Sequence, residues 1–114
     1  MSLESELQAT LTAVCPRSFP DFAPDGTATP YVTWQQIGGA PLAYVDDSLP
    51  DKRNARIQIN VWAETRAAAN AMMLQIEAAM IAQSARPIGG LLANFDEDAN
   101  LRGAMQDFSV WAAR

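Results

Sequence analysis

Two stretches of the chain, RIQINVWA (Arg56 to Ala63) and MQDFSVWA (Met105 to Ala112), alternate apolar and polar residues until each reaches a tryptophan. In the first, Ile57, Ile59 and Val61 oppose Arg56, Gln58 and Asn60; in the second, Phe108 and Val110 oppose Met105, Asp107 and Ser109. A period of two is the side-chain period of a strand with one face toward a core and the other toward water. Both segments therefore belong in a half-covered sheet. The same alternation puts Trp62 and Trp111 on the polar side, where a large aromatic ring has no core to enter. Either the connector or the chain end folds over that face and covers them, or they form an exposed aromatic patch among polar side chains, the composition enriched at protein interfaces, and a second protein covers it.

The remaining elements follow from local signals. Ser2 is a candidate N-cap for a helix with Glu4 and Glu6 in its first turn and Leu3, Leu7, Leu11 and Val14 along one stripe, ended by Cys15-Pro16. The stretch PRSFPDFAPDGTATP reads as an irregular connector, broken by prolines and pinned by Phe19 and Phe22. Tyr31 to Ile37 is rich in β-branched and aromatic residues and reads as a strand closed by Gly38-Gly39. From Ala40 to Asn54 a long, proline-containing loop is expected, of the length that in a compact domain carries function and orders against a neighbour. Thr65 is a candidate N-cap for a second helix with Ala69, Met72, Met73, Ile76, Ala79 and Met80 on one broad face, and Pro87 with Gly89-Gly90 reads as its stop. Leu91 to Phe95 reads as a short strand, DEDAN as a turn, and Arg102 to Ala112 as the last strand. The order α-β-β-α-β-β implies one α+β domain over residues 1–114: a single four-stranded, mainly antiparallel sheet with both helices packed on one face.

Charge and chemistry narrow the function. With 13 acidic and 8 basic residues the net charge is −5, which disfavours sequence-reading contact with nucleic acid and binding to an anionic membrane. No apolar run is long enough to span a bilayer, MSLESELQ lacks the pattern of a secretory leader, and the single Cys15 permits no intrachain disulfide. Synthesis in the cytoplasm is the expectation. Histidine is absent, which removes the commonest general base and zinc ligand. Asp96, Asp98 and Asn100 have the spacing that opens a calcium loop, but Leu101 and Asp107 stand where that loop needs glycine and a bidentate glutamate. No catalytic residue, cofactor or metal is expected. Asp46, Asp47 and Asp51, which sit with Tyr44 in the long loop, read as solvated side chains available to a partner; an enzyme using these acids is the competing reading. Lys52, Arg53 and Arg56 form a small cationic cluster suited to salt bridging or an interface. The candidate contact set is Trp62, Trp111, Tyr44, Asp46, Asp47, Asp51, Lys52 and Arg53.

In order along the chain, SLESELQATL, PDFAPDGTATPYVTWQQIGGAP, RIQINVWAETRAAANAM and MQDFSVWA together resemble the small tail completion, or tail terminator, proteins of long-tailed bacteriophages and related prophages. The resemblance implies a small α+β subunit made in the bacterial host cytoplasm and built into the virion tail or neck. It also implies a ring, usually a hexamer, at the head-proximal end of the tail tube. Such a ring stops tube growth and joins the tail to the head. Its partners would be copies of itself, the tail tube protein and a head-completion or connector protein. The alternatives are another neck or head-closure component, and a small-ligand binding domain.

Overall fold

The structure, a computed structural model, describes residues 2–40 and 52–113. The first helix, α1 (Leu3–Val14), begins where the Ser2 hydroxyl accepts from the Ser5 amide, and it buries Leu3, Leu7 and Leu11 as the sequence implies. It stops at Cys15, whose backbone is extended ahead of Pro16. A short strand, β1 (Ser18–Pro20), follows, then β2 (Tyr31–Gly38), β3 (Lys52–Ala63), the second helix α2 (Arg66–Ala82), β4 (Arg86–Asp96) and β5 (Leu101–Ala113).

The sheet has five strands in the order β1-β2-β3-β5-β4 and is mixed, not four-stranded. The added strand is β1, parallel to β2 and lying inside the expected connector. Pro16 just before it and Pro20 at its end are signals of broken structure, and the hydrogen bonds show why they are tolerated. Arg17 O accepts from Val32 N and Asp21 N donates to Trp34 O, each at 2.8 Å, so the odd-numbered residues face β2. Pro16 and Pro20 fall at the alternate positions, on the free edge, where a missing N–H is no loss. The outward Ser18 carbonyl accepts from Gln8 Nε2 of α1 at 2.7 Å.

A second correction concerns β4. Pro87 and Gly89-Gly90 lie within the strand instead of ending the helical segment before it. Ile88 pairs with Asp107 and Leu92 with Met105, so Gly89, Gly90 and Leu91 stand opposite Gln106 alone. This bulge is stabilised from below, because the buried Gln106 side chain donates to Glu77 Oε2 at 2.6 Å and to Gly89 O at 3.3 Å. An edge strand accommodates both the proline and the extra residues. α2 itself ends at Ala82 with Gln83 as C-cap.

Both helices pack on one face. Ile57, Ile59, Val61 and Phe108 are fully buried against Leu11, Met73 and Ile76. Thr65 caps α2 by accepting from Ala68 N at 3.1 Å, and the Arg66 guanidinium ties its first turn to the sheet through Asn94 O at 2.7 Å and Gly103 O. Trp34, on the core side of β2, donates its indole N–H to Gln8 Oε1 at 2.8 Å and so fixes α1 over the β1-β2 edge. Where β2 ends and β3 begins the backbones nearly touch: a Cβ on Gly39 would lie 2.2 Å from Asn54 O, so only glycine fits. β3 starts at Lys52, which shortens the expected Ala40–Asn54 loop; residues 41–51 lie outside the described residues.

Candidate functional site

The continuous pairing of β3 with β5 fixes what the face opposite the helices carries. Across the strands, Tyr31, Trp62, Gly103 and Asn94 form one row, and Thr33, Asn60, Met105 and Leu92 the next. Further along come Gln35, Gln58, Asp107 and Ile88, then Arg56 and Ser109, then Asn54 beside Trp111. Tryptophans 62 and 111 therefore share the uncovered face.

Their settings differ. Trp62 is half-buried, and its ring lies against Gly103: a Cβ there would come within 2.8 Å of the ring. Glycine in the middle of a strand is thus the seat of a neighbouring aromatic. Tyr31 is the cross-strand partner of Trp62 on β2, and burial, with a smaller push from the Asp96 carboxylate, raises its phenol above the ordinary value. Met105 and the 58 % exposed Leu92 extend the patch toward the β4 edge. Trp111 stands 51 % exposed at the opposite end of the strand pair. Its cross-strand partner Asn54 is eight residues from Trp62, roughly 27 Å along β3 at the usual strand rise. One small contact cannot cover both rings.

Between them the face is polar and self-neutralised. Arg56 donates to Asp107 Oδ2 through Nε at 3.0 Å and Nη2 at 2.7 Å. Asn54 clasps the far end, accepting from Ala40 N at 2.7 Å and donating to Ser109 Oγ at 2.8 Å and to Val110 O at 3.3 Å.

The structure divides the residues singled out in the sequence. Trp62, Trp111 and Lys52 belong to the uncovered face, Lys52 at its end opposite Ala113. Arg53 points to the helical side, where its Nη2 meets Glu4 Oε1 at 2.7 Å and the resulting hydrogen bond holds the Glu4 carboxyl below its ordinary value. Tyr44, Asp46, Asp47 and Asp51 lie outside the described residues. The DEDAN segment is a hairpin turn between β4 and β5. There Asp96 Oδ1 accepts from Asp98 N at 3.1 Å and Ala99 N at 3.2 Å, and Asn100 takes a left-handed conformation. Among the described residues no three His, Cys, Asp or Glu side chains converge as a metal set would.

Sequence reasoning passed over a second uncovered surface. α2 exposes Leu74 and Ile81, at 62 % and 50 %, on the side away from the sheet. The signal was present: between Ala67 and Ala82 the only charged residue is Glu77, so this helix lacks the polar outer face of a free surface helix.

Among the described residues the sheet carries both helices on one face and aromatic and aliphatic side chains on the other, which defines an α+β architecture. The family described as "Tail completion protein gp17" matches residues 3–113, and the chain belongs to it. It is a structural phage tail protein. A chain of the solved structure "Virion of native gene transfer agent (GTA) particle" shares the fold at 18 % identity and a TM-score of 0.56, over 99 % of this chain and 96 % of that one. No curated protein sequence matches.

Proposed function

We propose that this chain is the subunit of a closed ring, of six copies by resemblance to tail terminators, that caps the head-proximal end of a phage tail tube. There it ends tube growth and presents the surface to which the head's connector binds. Family membership supplies the tail setting. The observation that carries the ring reading is the uncovered sheet face, with aromatic residues at opposite ends: Trp62 on Gly103, and the exposed Trp111. Two separated apolar positions on one face suit a subunit that touches different neighbours at its two ends. Such non-self-complementary contacts close into a ring where the rotation between neighbours divides the circle, and run on as a filament where it does not. The role requires no catalysis. Lys52 lies beside the Trp111 end, and the acidic residues Asp46, Asp47 and Asp51, with Tyr44, are proposed to meet a neighbour or the tube.

The test is kinetic. Purified protein added to polymerising tail-tube subunits should stop elongation at substoichiometric amounts, because one ring blocks one growing end. Elongation that continues unchanged, while the protein binds a head-side component, would assign it to a different position in the neck.

A further inference from the structure

α2 is apolar on two opposite sides. One side, Ala69, Met73, Ile76 and Met80, is buried in the subunit core. The other, Ala67, Ala71, Leu74, Ala78 and Ile81, faces outward, and all five are exposed. Between Ala67 and Ala82 only Asn70, Gln75 and Glu77 separate the two apolar sides, so the helix lacks the charged outer face of a free surface helix and suits a second covering layer. The only charge along this stretch, Glu77, is already engaged by Gln106.

From this we infer that the outer stripe of α2 seats on the uncovered sheet face of a second copy of this chain, over Tyr31, Trp62, Met105 and Leu92. The inference rests on the ring reading and names its contact. Three observations select that occupant. Helix layer and open sheet face lie on opposite sides of one subunit, so each copy offers a donor surface and an acceptor surface and cannot satisfy itself; this is the arrangement of a heterologous contact. Helix on sheet is also the packing already used on the other side of the same sheet. Finally, copies with a net charge of −5 repel one another unless the touching surfaces are neutral. The stripe has no charge, and on the sheet face Arg56 and Asp107 neutralise each other.

The test uses the whole chain with cysteines at two exposed positions, Leu74→Cys and Leu92→Cys, against a background in which the native Cys15 is buried. Under oxidation the double variant should give a covalent ladder ending at the ring size, and each single variant should give none. Independently, Leu74→Glu should lower ring yield by about tenfold or more while leaving the far-UV spectrum of the subunit unchanged. A covalent dimer from Leu74→Cys alone would mean that α2 pairs with α2, and cross-links only to tube subunits would mean that the tube covers it; either overturns the inference. Rings that form normally with Leu74→Glu and do not cross-link overturn it as well, yet leave the ring reading standing. If the unaltered protein forms no ring, alone or with tubes, both fail together.

Discussion

Replacing Gln8 with alanine removes both halves of one clasp. Its Oε1 accepts the Trp34 indole N–H at 2.8 Å, and its Nε2 donates to Ser18 O at 2.7 Å. Trp34 and Ser18 are 7 % and 3 % exposed, so neither group regains water freely when the amide goes. An orphaned buried donor or acceptor costs about 1 to 3 kcal/mol, and two of them set an upper range near 6 kcal/mol. The side chain being removed is itself only half-buried, and the space it leaves admits some water. The expected loss is therefore about 2 to 4 kcal/mol, or roughly 8 to 16 °C in Tm for a chain of this size. Urea unfolding of dilute protein, followed by far-UV circular dichroism, measures it as a fall in midpoint at constant slope. In a double-mutant cycle Trp34→Phe removes the orphaned donor, so it should cost about 1 to 2 kcal/mol less in the Gln8→Ala background than alone. A loss below about 0.5 kcal/mol for Gln8→Ala, with additive effects in the cycle, would refute the claim that this clasp fixes α1 to the sheet edge.

Other consequences are equally direct. Gly39→Ala forces a methyl group to 2.2 Å from Asn54 O, a backbone atom that cannot step aside, and should destabilise the subunit by about 2 kcal/mol or more in the same unfolding assay. Gly103→Val displaces the Trp62 ring from its seat; it should cost the subunit about 1 to 3 kcal/mol and change tryptophan emission. Glu4 titrates below its ordinary value of 4.5 because Arg53 hydrogen-bonds its charged form. Its stabilising effect is therefore present above that value and is lost as pH falls through the lower, folded-state value. The difference in urea midpoint between the protein and its Glu4→Gln variant should be constant near neutral pH and shrink to nothing in acid.

Much of the architecture can be read from local pattern. The alternation in β3 and β5 gives both the strands and the side on which the helices lie, and Ser2 and Thr65 mark the helix starts where the structure has them. β1 was hidden because prolines signal broken structure, and only the pairing partner reveals that Pro16 and Pro20 fall on the free edge. The path of β4 through Pro87 and two glycines was hidden for a related reason, since the buried Gln106 that supports the bulge is distant in sequence. At the candidate site, periodicity places Trp62 and Trp111 on one face but says nothing of the ~27 Å between them or of the glycine under Trp62. Arg53, which reads in sequence as suited to salt bridging or an interface, is turned by register to the helical side, where it salt-bridges Glu4.

The central claim is that this subunit closes into a ring that ends a tail tube. Electron microscopy of the purified protein mixed with tail tubes tests it most directly. The account predicts a single closed ring on one end of each tube, with the Trp62 patch of each copy buried against its neighbour. Bare tube ends, decoration along the tube wall, or open filaments of the protein in place of rings would contradict it.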